Sequence, residues 1–97
     1  MDKRLLIEKV AVKKDGNAIM YTKDPSEELC MIAVKENGRA LHYIKNKTYD
    51  MCLEAVNNDG LSLMYVPSEF KDFKLCMAAV SQNGLSLQFV PMIIKED

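Results

Sequence analysis

The chain has 97 residues, 48% of them hydrophobic and 28% charged, which is ordinary for a soluble globular protein and excludes a disordered tail, a collagen-like chain and a low-complexity segment. One small domain of 11.0 kDa is the expected organisation. Thirteen Lys and Arg against fourteen Asp and Glu give −1, too little for a bulk attraction to nucleic acid or membrane, although residues 1–49 carry ten basic and seven acidic side chains (+3) and residues 50–97 three and seven (−4).

No apolar run approaches the roughly 18–20 residues of a membrane span, and the apolar stretch Leu5-Leu6-Ile7 is too short for a signal peptide. Three cysteines, an odd number, argue against a secreted disulfide framework. A cytoplasmic protein with no membrane partner is expected.

The chain is organised as an internal repeat. Its four glycines, Gly16, Gly38, Gly60 and Gly84, are spaced 22, 22 and 24 residues apart. Aligned on them, Ala11, Ala33, Ala55 and Ala79 fall five before, and Val12, Val34, Val56 and Val80 four before. Asp15, Asn37, Asp59 and Asn83 fall one before. Ile19, Leu41, Leu63 and Leu87 stand three after, and Tyr21, Tyr43, Tyr65 and Phe89 five after. Eight before stand Glu8, Cys30, Cys52 and Cys76, so one register accounts for every glycine and cysteine. The units span about residues 4–25, 26–47, 48–71 and 72–94. The two extra residues of the third interval lie in Pro67-Ser68-Glu69-Phe70-Lys71, a loop.

Each unit begins with a predicted helix. In the second, Ser26 is the N-cap, and Glu27 and Glu28 occupy the first turn, where the helix dipole favours acids. Asn37-Gly38 ends it, with Gly38 expected in the left-handed conformation. The repeated positions nine, eight, five, four and one before the glycine fall on one arc of about 140°, a core-facing helix surface. The piece after each glycine is predicted as a short 3₁₀ or α turn, favoured by Ala18 and Ala40, with one more turn at Pro67–Phe70. The fold class is therefore all-α: four short helical repeats of 22–24 residues stacked as a small solenoid. The alternative is an α/β leucine-rich-repeat-like horseshoe, in which Leu61–Val66 would be a strand.

The segment from Leu75 to Pro91, LCMAAVSQNGLSLQFVP, resembles a short tandem α-helical repeat family with the pattern ELCLAAVKQNGLALQYVP, catalogued as a domain of unknown function. The resemblance covers residues 26–92. The first unit departs from it, with Glu8 in place of cysteine and Lys23 in place of proline. It implies a helical repeat fold and no activity, because the family brings no catalytic motif. Its members occur in tandem arrays in bacterial, protist and large-virus proteins, which leaves room for a viral or bacterial effector or inhibitor.

The candidate chemistry is sparse. Cys30, Cys52, Cys76 and His42 have the count of a Cys₃His zinc site, but equivalent side chains of stacked units lie on the order of 10 Å apart. Zinc needs four ligands within about 2.3 Å of one point, so no metal or other cofactor is expected. The cysteines are read as small buried hydrophobes. His42 shares its column with Met20, Met64 and Gln88, and no catalytic residue is assigned. The isolated glycines make no phosphate loop.

Seven and six before the glycine, Met31, Ile32, Leu53 and Met77 point away from the core arc. They are candidates for an exposed apolar strip that binds a partner. The leading function is thus a non-enzymatic protein–protein interaction module, an adaptor or inhibitor. A nucleic-acid binder using the basic patch Lys23, Arg39, His42, Lys45 and Lys47 is the second reading, and a self-assembling structural protein the third. A polar first unit, with Lys3, Arg4, Lys9, Lys13 and Lys14, is expected to cap one end. At the other end Phe89, Met92, Ile93 and Ile94 lack a successor and are expected to mediate a weak symmetric homodimer.

Overall fold

Every α-helix in this chain starts on a side-chain cap. Asp2 accepts from Arg4 N at 2.9 Å, Ser26 Oγ from Leu29 N at 3.1 Å, Thr48 Oγ1 from Met51 N at 3.2 Å and Asp72 Oδ1 from Leu75 N at 2.9 Å. The helices that follow are α1 (Lys3–Lys14), α2 (Glu27–Glu36), α3 (Tyr49–Asn58) and α4 (Phe73–Gln82). The structure is a computed structural model and describes residues 2–94.

Each helix ends on the Asp or Asn of the Asp/Asn-Gly pair, and that residue also starts the next element. Asn37 has extended backbone (φ −151°, ψ 106°), and its N–H still bonds to the Ala33 carbonyl at 2.9 Å. Its side chain accepts from Arg39 N at 3.0 Å, capping a 3₁₀ turn. Asp15, Asp59 and Asn83 do the same for Asn17, Leu61 and Leu85. The turns are η1 (Gly16–Tyr21), η2 (Gly38–Tyr43), η3 (Gly60–Tyr65) and η5 (Gly84–Phe89), with η4 (Ser68–Phe70) in the longer third linker. The fold is all-α, and no strand occurs among the described residues.

Successive helices pack side by side, and α2, α3 and α4 each also pack on the 3₁₀ turn of the preceding unit. The result is a small helical solenoid of 46 × 20 × 16 Å. The aligned columns form its core: Ala33, Ala55, Ala79, Val12, Val34, Val56, Leu41 and Leu63 are all fully buried, as is Cys52. Ala and Val near the helix C-termini let the backbones approach closely, while the leucines of the 3₁₀ turns fill the space beneath.

The expected left-handed glycines do not occur: no glycine among the described residues has positive φ. The chain needs glycine for a different reason. A Cβ on Gly16, Gly38 or Gly60 would overlap the carbonyl oxygen of Ala33, Ala55 or Ala79, each on the following helix. Gly84 faces open space. The glycine column is thus a junction device between units.

Candidate functional site

The strip of Met31, Ile32, Leu53 and Met77 does not form one exposed surface. Met31, Ile32 and Leu53 are half-buried and pack against the core, because their helices, α2 and α3, have neighbours on two sides. Met77 alone is well exposed; among the described residues no further helix packs on that side of α4.

The basic residues are likewise dispersed by local partners. Arg39 Nε pairs with Asp59 at 2.7 Å, and Lys47 Nζ donates to the Ile44 carbonyl at 2.7 Å. His42 meets the Tyr43 ring edge-on and the Tyr65 ring at a tilt, with ring centroids 5.0 and 4.7 Å away. Lys23 and Lys45 remain on the surface, and Asp24 and Glu27 accompany them around one groove. Both signs of charge meet there, which is a poor cradle for a phosphate backbone.

That groove, of about 840 Å³, lies between the first linker (residues 22–26) and the second (44–48). Its floor is apolar, made by Ile19, Cys30, Ile44 and Met51. Its rim carries Lys23, Asp24, Glu27, Lys45 and Asn46. Asp24 turns the first linker through the left-handed region (φ 55°), which a short polar side chain tolerates, just before Pro25.

The repeat register shows what the next junction does instead. Asn46 stands two residues before the cap Thr48, as Phe70 stands two before the cap Asp72. Glu27 opens α2 as Tyr49 opens α3. Where the first junction has Asn46 and Glu27, the second therefore has two rings, packed edge to face at 6.2 Å. Phe70 also lies against the core, and Tyr49 Oη donates to Asp72 Oδ1 at 2.9 Å. The two extra residues of the third linker give it the length to place that ring.

The three cysteines are free and buried. Burial pushes each thiol up, and Cys52 reaches about 11. A thiol held protonated in this way is a poor nucleophile and a poor metal ligand. Among the described residues no group of three or more His, Cys, Asp or Glu side chains is placed to hold a metal ion, and no helix is long and apolar enough to cross a membrane.

The end residues divide. Ile94 packs back against the core, and Phe89 is half-buried with its carbonyl accepting from Lys71 Nζ at 3.2 Å. Met92 and Ile93 project outward. At the opposite end the polar cap is incomplete: Leu6, Ile7 and Val10 on α1 are exposed among its lysines.

Residues 48–95 match the family described as Domain of unknown function (DUF4116). The match covers the third and fourth units as the glycine register divides them. No curated protein and no solved structure matches the chain.

Proposed function

We propose that the chain is a non-enzymatic protein-interaction module, an adaptor or inhibitor, built from tandem helical repeats and working in a reducing compartment such as the cytoplasm. The observation that carries this reading is the groove between the first two linkers. It has an apolar floor and a mixed-charge rim, and it stands open where the following junction holds the chain's own Phe70. A partner segment with one aromatic or branched apolar side chain, flanked by polar residues, has the chemistry of that space. The buried, protonated thiols offer no ready nucleophile, which is in keeping with a binding role.

The test substitutes Asn46→Phe, which gives the first junction the ring that the second already has. Parent and variant are immobilised and exposed to the same cell extract. The reading expects at least one protein held by the parent and released by the variant, with retention insensitive to nuclease. Identical retention by both, or retention that nuclease abolishes and salt weakens steeply, overturns it.

A further inference from the structure

The repeat register makes the two ends of the array directly comparable with its interior junctions. Within each helix, the positions ten, six and two before the glycine form an i, i+4, i+8 stripe. Two contacts fix its direction. Glu28, ten before Gly38, meets Lys9 of the preceding helix at 2.9 Å. Asn58, two before Gly60, accepts from Gly38 N at 2.6 Å and donates to the Lys35 carbonyl at 2.9 Å. The stripe therefore faces the preceding unit.

On α1 that stripe is Leu6, Val10 and Lys14, and nothing precedes it within the described residues. Val10 is 63% exposed. Ile7 beside it is 67% exposed, although its counterparts Leu29, Met51 and Leu75 are buried. An outward face meant for water would be polar; this one presents three large apolar side chains.

The last unit has the opposite half of a junction. Leu41 and Leu63 are fully buried under the following helix, whereas Leu87, in the same column, is 67% exposed. Leu85 and Met77 are exposed beside it, and Gly84 offers the vacant space over which Gly16, Gly38 and Gly60 receive an alanine carbonyl. In α1 the matching carbonyl belongs to Ala11.

We propose that these faces are complementary, and that a second copy of this chain stacks head to tail, its α1 against α4 and η5 of the first. Met77 then meets Leu6 and Val10, as Lys9 meets Glu28 inside the array. The Ala11 carbonyl of the second copy lies over Gly84. Lys14 takes the donor role of Asn58 and reaches the Ser81 carbonyl, at the negative end of α4, whose last turn has no basic residue. The +3 and −4 halves of neighbouring copies are brought together. Lys14 cannot accept from Gly84 N–H as Asn58 accepts from Gly38 N–H, so this junction is weaker than the interior ones. The contact is heterologous and does not close on itself, so copies add in a line. The inference stands independently of the linker groove, none of whose lining residues lies on α1, α4 or η5.

Sedimentation velocity over a concentration series on the parent, Val10→Glu, Leu87→Glu and an equimolar mixture of the two variants tests this. Both altered side chains are exposed, so far-ultraviolet circular dichroism should match the parent; Leu6→Lys and Leu85→Lys replace any variant that does not fold. The expected result is a parent whose mean size grows beyond a dimer, two monomeric single variants, and a mixture that forms a one-to-one dimer and nothing larger. A parent that stays monomeric at high micromolar concentration overturns the proposal. So does Val10→Glu dimerising alone, which would indicate a symmetric contact through the C-terminal end, and so does a mixture that remains monomeric.

Discussion

The carbonyl oxygen of Ala55 occupies the space that a Cβ on Gly38 would need. Gly38 is held there by Asn58, whose side-chain oxygen accepts its N–H at 2.6 Å. Gly60 and Gln82 repeat the arrangement at the next junction. Substituting alanine at Gly38 or Gly60 must therefore push two backbones apart. The expected cost is about 1–3 kcal/mol each, as for overpacked cores. Within a single chain Gly84→Ala meets nothing and needs no unusual φ, so in dilute, monomeric protein it should be neutral or stabilise by about 0.4–1 kcal/mol through the unfolded chain. Urea denaturation of the three variants checks the contrast; equal costs at Gly60 and Gly84 would refute the junction account.

Ser62 and Ser86 are fully buried, and neither hydroxyl has a hydrogen-bond partner among the described residues. Ala40 fills the same column in the second unit and is equally buried. Ser62→Ala is expected to raise stability by about 1 kcal/mol, because it removes a desolvated polar group. A thermal melt shifted upward supports this, and a downward shift shows that the hydroxyl is satisfied in solution.

Asp72 serves two partners with one oxygen: it caps α4 through Leu75 N and receives Tyr49 Oη, both at 2.9 Å. Ser26 and Thr48 cap through a hydroxyl that has no such cross-unit phenol bond. Asp72→Ala should therefore cost about 1–2 kcal/mol from the cap plus about 1 kcal/mol from the phenol, more than Ser26→Ala or Thr48→Ala. Tyr49→Phe should lose only the second part. Additive losses in the two variants would contradict a shared bond.

The Cys52 thiol is pushed up to about 11 by burial, against 9.0 for an exposed thiol. Between those values the unfolded chain has released a proton that the folded chain retains. Stability contributed by this group is complete below pH 9 and falls as pH rises toward 11. Cys52→Ser or Cys52→Ala, compared with the parent from pH 8 to 10.5, should flatten that fall. Native-state labelling by a thiol reagent at pH 8 should be slow for all three cysteines and slowest at Cys52; fast labelling there would show that the core opens.

Much of this arrangement was legible in the residues. The glycine register located every helix, and Ser26 and Asn37 marked the ends of α2 within a residue. The role of glycine was not legible, because Asn-Gly reads locally as a left-handed helix stop, while the demand at Gly38 comes from Ala55 on another helix. The 100° rule failed for Met31, Ile32 and Leu53 for a related reason: it treats a helix as having one buried side, and a helix in an array has two neighbours. The linker groove left one signal in the sequence, the exchange of Asn46 for Phe70 at matched positions before a cap. The tyrosine column obscured it by drawing the aromatic pattern elsewhere.

The third linker has a further consequence for how the chain finds its fold. Identical units could pair one step out of place and still bury alanines and valines, a trap open to any regular array. The Tyr49–Phe70 ring pair and the Tyr49–Asp72 bond belong to one junction only. A chain slipped by one unit would set Glu27 against Phe70 and lose both. The irregular spacing thus works as a key that makes the correctly ordered stack distinguishable, in energy, from its shifted neighbours.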